Sequence, residues 1–320
     1  MMLTDIAGIR VGHVTHLEAA TGCTVVLCPP GTVVAGEIRG GWAAVREECI
    51  VSPFHTGPHV NAVLLAGGST FGLAAADGVL RWLEEHEGHD GIAKYVPQVP
   101  AAVIYDLRVA QSKIRPTAGD GYAACQAAAS GPYALGTVGA GTGATVGKWY
   151  NRRGVMKGGI GSASHTLAGG VIVAALAVVN AIGDIYDRDG SLLAGVRRII
   201  PEAPTFLEFY SRAQESPGVA TMSRGTTLVV VATNARMVKT DLGIFARMAG
   251  AGVPRAVNPV YMAWDGDTLF ALATGEVDAP FATLGPVAAE VVADSIRSAV
   301  REATSLAGFP ALRDLAAETS

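Results

Sequence analysis

The run Gly225-Thr226-Thr227-Leu228-Val229-Val230-Val231-Ala232-Thr233-Asn234 constrains this chain more than any other stretch. Its five consecutive β-branched or apolar positions, Thr227 to Val231, lie between Gly225 and Asn234 and predict a buried β-strand. The residue that opens the strand carries a second possibility. A cut between Gly225 and Thr226 would leave Thr226 with a hydroxyl nucleophile and a free α-amine, and an amine with a pKa of about 8 can serve that hydroxyl as general base. Glycine suits such a junction because it accepts the strained backbone needed for a side-chain hydroxyl to reach the preceding carbonyl. Gly-Thr before a strand is common, so these ten residues alone leave a plain strand start and a nucleophile both open.

Composition removes several classes of function. A net charge of -4 provides no basic footprint for nucleic acid or an anionic membrane surface. The longest apolar run, Gly170 to Val179, falls far short of the ~20 residues of a membrane helix. The N-terminus has neither the basic start nor the apolar core of a signal peptide, so a soluble, cytoplasmic protein is expected. Cys23, Cys28, Cys49 and Cys125 form no C-x-x-C and have no histidine at zinc spacing, which predicts buried thiols in a reducing compartment and no metal. With 50% hydrophobic and 16% charged residues, some apolar surface is expected to be covered by other copies of the chain.

In chain order, Ile9 to Val14, Cys23 to Cys28 and Thr32 to Ile38 read as strands of an opening meander. Asn61 to Ala66 is another strand, followed by a helix from Thr70 to His86 with Ser69 as its N-cap, Gly88 as its stop, and Phe71, Ala75, Val79, Trp82 and Leu83 on one stripe. Ala101 to Asp106 predicts a strand ending in a polar pair, and Gly121 to Ala129 a helix. The glycine-rich run Gly136 to Lys148 is no P-loop, since Thr142 stands where the first glycine belongs and Trp149 where a Ser or Thr would hold magnesium. Gly139, Gly141 and Ala144 fit G-x-G-x-x-A, but no acidic residue occurs between Asp120 and Asp184 to hold a ribose, so no cofactor is expected.

Lys157 to Thr166 and Gly170 to Asn180 read as two long strands, the second apolar up to an amide that needs partners. Residues 187–224 are irregular apart from a helical piece at Phe206 to Ala213. Asp241 to Ala249 predicts a helix, Ala256 to Met262 and Thr268 to Ala273 strands, and Pro286 to Leu306 a closing amphipathic helix with Val287, Val291, Ile296 and Val300 inward. Asp265 and Asp267 flank the turn between those strands, where carboxylates are either turn formers or a coupled acid pair. A mixed α/β chain with helices outside the strands is expected, without repeat or linker.

Five stretches in fixed order resemble one family: Gly67-Gly68-Ser69-Thr70-Phe71-Gly72-Leu73, Val99 to Leu107, Val179-Asn180-Ala181-Ile182-Gly183-Asp184, Gly225-Thr226 with Val231 to Ala235, and Asp265-Gly266-Asp267 through Gly275. They are similar to the DmpA-type self-cleaving N-terminal nucleophile hydrolases, which include aminopeptidase/D-esterases, β-peptidyl aminopeptidases and nylon-oligomer (6-aminohexanoate oligomer) hydrolases. The threonine and the Asp-Gly-Asp turn look closest to the last group. The resemblance implies a four-layer αββα sandwich, cut at Gly225-Thr226 into residues 1–225 and 226–320 that stay together and assemble further, with a tetramer favoured. It makes Thr226 the nucleophile and Asn180 an oxyanion-hole donor, with Lys148, Tyr105, Asp265 and Asp267 in support. The implied substrate is a small peptide or linear oligoamide, with no cofactor; a chain that failed to cut itself would instead suit a non-catalytic binding protein of that fold.

Overall fold

A strand that is apolar at every position must be covered on both faces, and this chain does so by stacking two sheets between two layers of helices. The structure, a computed structural model, describes residues 1–86, 96–213 and 224–317. The stop read at Gly88, and residues 214–223 of the segment before the junction, lie outside the described residues. One sheet runs, in spatial order, Val33–Ile38, Thr268–Val277, Thr226–Ala235, Ile172–Asn180, Gly159–Thr166. The other runs Arg10–His16, Thr21–Leu27, Ala62–Ala66, Ala101–Val103, Val45–Arg46. Thr226–Ala235 is central in the first sheet. It pairs antiparallel with Ile172–Asn180, which sets Asn180 opposite Thr226, and parallel with Thr268–Val277, which sets Leu228 opposite Thr268.

Alternation along the strands divides the core. Leu176, Val178, Leu228, Val230, Phe270 and Leu272 face the other sheet, where they meet Val26, Val63 and Leu65. Val173, Ala175, Val229 and Val231 face the helices Lys239–Gly250 and Phe281–Glu302, against Phe245 and Val292. The helices Ala75–His86 and Ala118–Gln126 cover the far side of the other sheet around Val25, Leu64, Val79 and Leu83. Each such valine, leucine or phenylalanine contributes about 1.5–3 kcal/mol on burial, so the continuous apolar runs are what hold the two sheets face to face. Among the described residues no helix is long and apolar enough to cross a membrane.

Several expected boundaries move. The third strand of the opening meander leaves its sheet and becomes the edge of the other, beside Thr268–Val277, because its own face at Val34 completes the core between the sheets. Ser69 caps nothing: it stands at φ 54° after Gly68, its amide donates to the Ile104 carbonyl at 2.9 Å, and a 3-10 turn at Ser69–Ala74 precedes the α-helix. Phe71 on that turn is exposed. The helix read from Gly121 starts at Ala118, since Thr117 and Asp120 form a reciprocal capping box. The strand read over Ala256 to Met262 is only Val257–Asn258, for Pro259 has no amide to donate to a ladder. The closing helix begins at Phe281, with Pro286 inside it, and ends at Glu302. Cys49 is exposed, unlike the other three cysteines.

The seam between Gly159–Thr166 and the long closing helix has no spare room. A Cβ on Gly161 would lie 2.0 Å from the Ser295 carbonyl oxygen and 2.2 Å from the Ala299 nitrogen, both backbone atoms that cannot swing aside. Gly161→Val should therefore lower stability by about 3 kcal/mol or leave the chain unfolded, read as the fall in urea midpoint against wild type.

Candidate active site

Thr226 is buried at the first position of the central strand, and its Oγ1 folds back to donate to the carbonyl oxygen of Gly225, the residue before it. The same oxygen accepts the Gly266 amide at 3.0 Å. Gly225 itself forms a parallel bridge with Asp265. The Gly225-Thr226 bond thus lies where the starts of two parallel strands meet, with a hydroxyl and a backbone amide both turned on one carbonyl.

Gly225 is required here for space and not for strain. Its φ lies outside the left-handed region, but a Cβ would stand 2.3 Å from Asp265 Oδ1 and 2.5 Å from the Ile182 nitrogen. The junction is pressed against a carboxylate so closely that no side chain fits.

The Asp265-Gly266-Asp267 turn is held from both sides. The Trp42 amide donates to the Asp265 carbonyl at 2.8 Å and the Arg39 amide to the Asp267 carbonyl at 2.9 Å. Asp267 Oδ1 accepts the Thr227 amide at 2.6 Å and Oδ2 the Tyr261 amide at 3.1 Å. Asp267 therefore grips the backbone of the residue after Thr226. Asp265 Oδ2 accepts the Met262 amide at 3.2 Å, while Oδ1 is buried without a well-formed hydrogen bond, the Ile182 amide helping only to sustain its charge. Burial raises both carboxyls above the usual range; the charge of Asp265 raises Asp267 further, and Lys148 pulls Asp265 back down.

Across the strand pair, Asn180 is fully buried and its partners fix which way its amide faces. Lys148 Nζ donates to both Asn180 Oδ1 and the Asn180 carbonyl at 2.7 Å, and the Thr145 amide donates to Oδ1 at 3.0 Å. Nδ2 donates to the Tyr105 carbonyl at 3.3 Å, which leaves its second hydrogen uncommitted to that bond. Tyr105 thus supports the site through its backbone. Lys148 is buried in the glycine bed, so the solvated lysine that is the default for such a residue does not occur. Burial lowers it to about 7, against the opposing pull of Asp265.

Sequence reasoning missed the Gly266 amide, because a backbone donor leaves no mark beyond the turn it belongs to. It also missed Lys157, a fully buried lysine whose Nζ donates to the Thr142 and Ala144 carbonyls at 2.9 and 2.6 Å and so pins the glycine-rich run. Asp106, half of the expected polar pair, accepts from Thr21 Oγ1 at 2.7 Å and the Gly68 amide at 2.8 Å, and lies against Gly143 of the same run. Among the described residues no group of three or more His, Cys, Asp or Glu side chains is placed to hold a metal ion.

The chain is similar to known proteins over most of its length. The profile of peptidase family S58 matches residues 2–313. An uncharacterised aminopeptidase of Mycobacterium leprae is 43% identical over 96% of this chain and 92% of its own. A 6-aminohexanoate-oligomer endohydrolase of Kocuria sp. is 32% identical over 93% of this chain and 85% of its own. Among solved structures, the L-aminopeptidase D-Ala-esterase/amidase of Ochrobactrum anthropi, described as a variant of the Ntn hydrolase fold, superposes with a TM-score of 0.72 at 20% identity over 97% of this chain and 88% of its own. A β-aminopeptidase of Burkholderia sp. does so at 0.71 and 23%, over 99% and 93%. At those identities the two structures are alike in fold.

Two substitutions probe the arrangement. Lys148→Met keeps the bulk but removes both the anchor of Asn180 Oδ1 and the cation facing Asp265, so the Asp265 carboxyl should titrate at higher pH than in wild type, followed by carboxyl NMR. Gly225→Ala drives a methyl into Asp265 Oδ1, and should displace the Gly225 carbonyl and slow any chemistry at that bond by about 100-fold, the effect of a misplacement on the order of 1 Å, read by timed gel electrophoresis after expression.

Proposed function

We propose that this chain, which belongs to peptidase family S58 and hydrolyses peptide or amide bonds, works through Thr226 after cutting itself between Gly225 and Thr226. The observation that carries the reading is the contact of Thr226 Oγ1 with the Gly225 carbonyl, whose oxygen the Gly266 amide already holds. In the first reaction Oγ1 attacks the Gly225 carbonyl carbon, and the Gly266 amide meets the negative charge that develops on the oxygen. The C–N bond breaks as the Thr226 nitrogen takes up a proton, leaving Gly225 esterified on Oγ1. Water then hydrolyses the ester, which returns the hydroxyl, frees the Gly225 carboxylate and leaves a free α-amine on Thr226.

That amine has a partner waiting. Asp265 Oδ1, buried and short of a good hydrogen bond, lies against Gly225 and gains an ammonium neighbour once the junction opens. In turnover the neutral amine takes the Thr226 hydroxyl proton, Asn180 supplies its spare Nδ2 hydrogen to the oxyanion, and water releases the acyl group. Asp267 keeps the strand start in place through the Thr227 amide. The substrates proposed are linear amides of small peptides or 6-aminohexanoate oligomers, supported by the endohydrolase relative; the higher identity to a relative named as an aminopeptidase supports removal of N-terminal residues as the second reading. The cleaved units are proposed to assemble into homo-oligomers, for which the exposed Phe54 and Leu207 are candidate contacts.

The test is the intact mass of the purified protein, with N-terminal sequencing and a panel of aminoacyl amides, β-peptides and 6-aminohexanoate oligomers. Pieces of 225 and 95 residues (320 minus 225) are expected, the smaller one starting at Thr226. Thr226→Ala should stay whole and inactive, and Thr226→Ser should retain part of both reactions. Thr227→Ala should cleave, since its contact with Asp267 is through the backbone. Activity should fall as pH drops through the pKa of the Thr226 amine, ordinarily about 8, because the protonated amine cannot accept the hydroxyl proton. A smaller piece with any other first residue, or a cleaved Thr226→Ala protein, would overturn the assignment.

A further inference from the structure

Beside the junction, Arg224 occupies an aromatic recess that no step of the reaction uses. Its guanidinium carbon lies 4.4 Å from the centre of the Trp42 ring and 5.3 Å from that of Tyr105, and the Trp264 ring is 5.2 Å from Trp42. Among the described residues the guanidinium makes no salt bridge, so the ring faces are what hold it. Trp42 and Trp264 are 49% and 43% exposed, a large apolar area to leave open beside a reacting bond.

The position of Arg224 in the chain determines what the recess faces. The carbonyl under attack in self-cleavage is that of Gly225, so Gly225 and Arg224 occupy the acyl side of the bond, where the acyl part of a later substrate must lie. The rings are fixed to the reacting groups independently of Arg224. The Trp42 amide is bonded to the Asp265 carbonyl, Trp264 directly precedes Asp265, and the Tyr105 carbonyl accepts from Asn180 Nδ2. None of these anchors is lost when the Gly225-Thr226 bond is cut.

We infer that Trp42, Tyr105 and Trp264 form an acyl-side seat for a cation, and that the cleaved enzyme favours amides whose acyl part carries a guanidinium or ammonium group one residue beyond the scissile carbonyl. The inference rests on the proposed role of Thr226, which makes Arg224-Gly225 the first acyl group the site processes. Newly cut protein carries its own Arg224-Gly225 carboxyl terminus beside the seat, and that terminus competes with substrate.

The experiment compares arginyl-glycyl p-nitroanilide with citrullyl-glycyl p-nitroanilide, its neutral isostere, in wild type, Arg224→Ala, Trp42→Leu and Trp42→Phe proteins. The arginyl substrate is expected to have about tenfold higher kcat/KM, the scale of a cation between aromatic faces, with a larger ratio in Arg224→Ala, where the competing terminus has lost its cation. The ratio should fall toward one in Trp42→Leu and return in Trp42→Phe. Equal kcat/KM in both wild type and Arg224→Ala, or a ratio untouched by Trp42→Leu, overturns the seat while leaving Thr226 catalysis in place. If no variant hydrolyses either anilide, the Thr226 reading still stands or falls with the first residue of the smaller piece, and tryptophan fluorescence titration of Arg224→Ala protein with the dipeptides arginyl-glycine and citrullyl-glycine decides the seat alone: about tenfold tighter arginyl-glycine binding sustains it, and equal binding overturns it.

Discussion

The parallel pairing of Thr226–Ala235 with Thr268–Val277 is the constraint on which the rest of this molecule depends. With Leu228 opposite Thr268, the residues just before each strand are brought side by side, so that Gly225 bridges Asp265 and its carbonyl receives the Gly266 amide. A one-residue slip would turn every side chain of Thr226–Ala235 to the opposite face and separate the hydroxyl from the turn. Such a slip is opposed by the apolar residues themselves. Leu228 and Val230 are matched to one core and Val229 and Val231 to another, so the packing that stabilises the sandwich also sets the register of the site.

Around that bond the molecule buries charge that burial disfavours. Lys148, Asp265 and Asp267 each lie close to neutral chemistry for the same reason, desolvation of the charged form, with Lys148 lowered and the carboxyls raised. The signs have consequences for stability. Between about 7 and its ordinary range Lys148 holds fewer protons folded than unfolded, so its contribution to stability grows as pH rises there; the carboxyls hold more protons folded, so theirs declines as pH rises toward their raised values. What keeps such a cluster ordered is the backbone: five of its contacts, from Thr145, Thr227, Tyr261, Met262 and the Asn180 carbonyl, involve main-chain groups fixed by strands and turns. A site built this way keeps its polar groups aimed before a substrate arrives.

The family, the layered α/β fold and the region around Thr226 were legible because they are written in local patterns. Continuous apolar runs mark strands covered on both faces, and short glycine- and aspartate-containing motifs mark the turns at their ends. Boundaries were less legible where a side chain overrides propensity, as when Thr117 and Asp120 start a helix early, or where one residue blocks continuation, as Pro259 does after Asn258. The first three strands misled for another reason. Nothing in their periodicity says that the third crosses to the second sheet, since that depends on which face remains to be covered.

The sequence by itself determined that Thr226 opens a buried strand, that Asn180 ends another, and that Asp265 and Asp267 flank a turn, because hydrophobic period and turn chemistry are local properties. Only the tertiary structure decided what these residues do to one another. Strand register placed Asn180 opposite Thr226, crowding made Gly225 obligatory for room and not for φ, and the turn carried Asp267 to the Thr227 amide. Those outcomes rest on distances of a few ångströms between residues far apart in the chain, and on burial that shifts the charge state of each. Neither quantity exists until the two sheets have closed on each other.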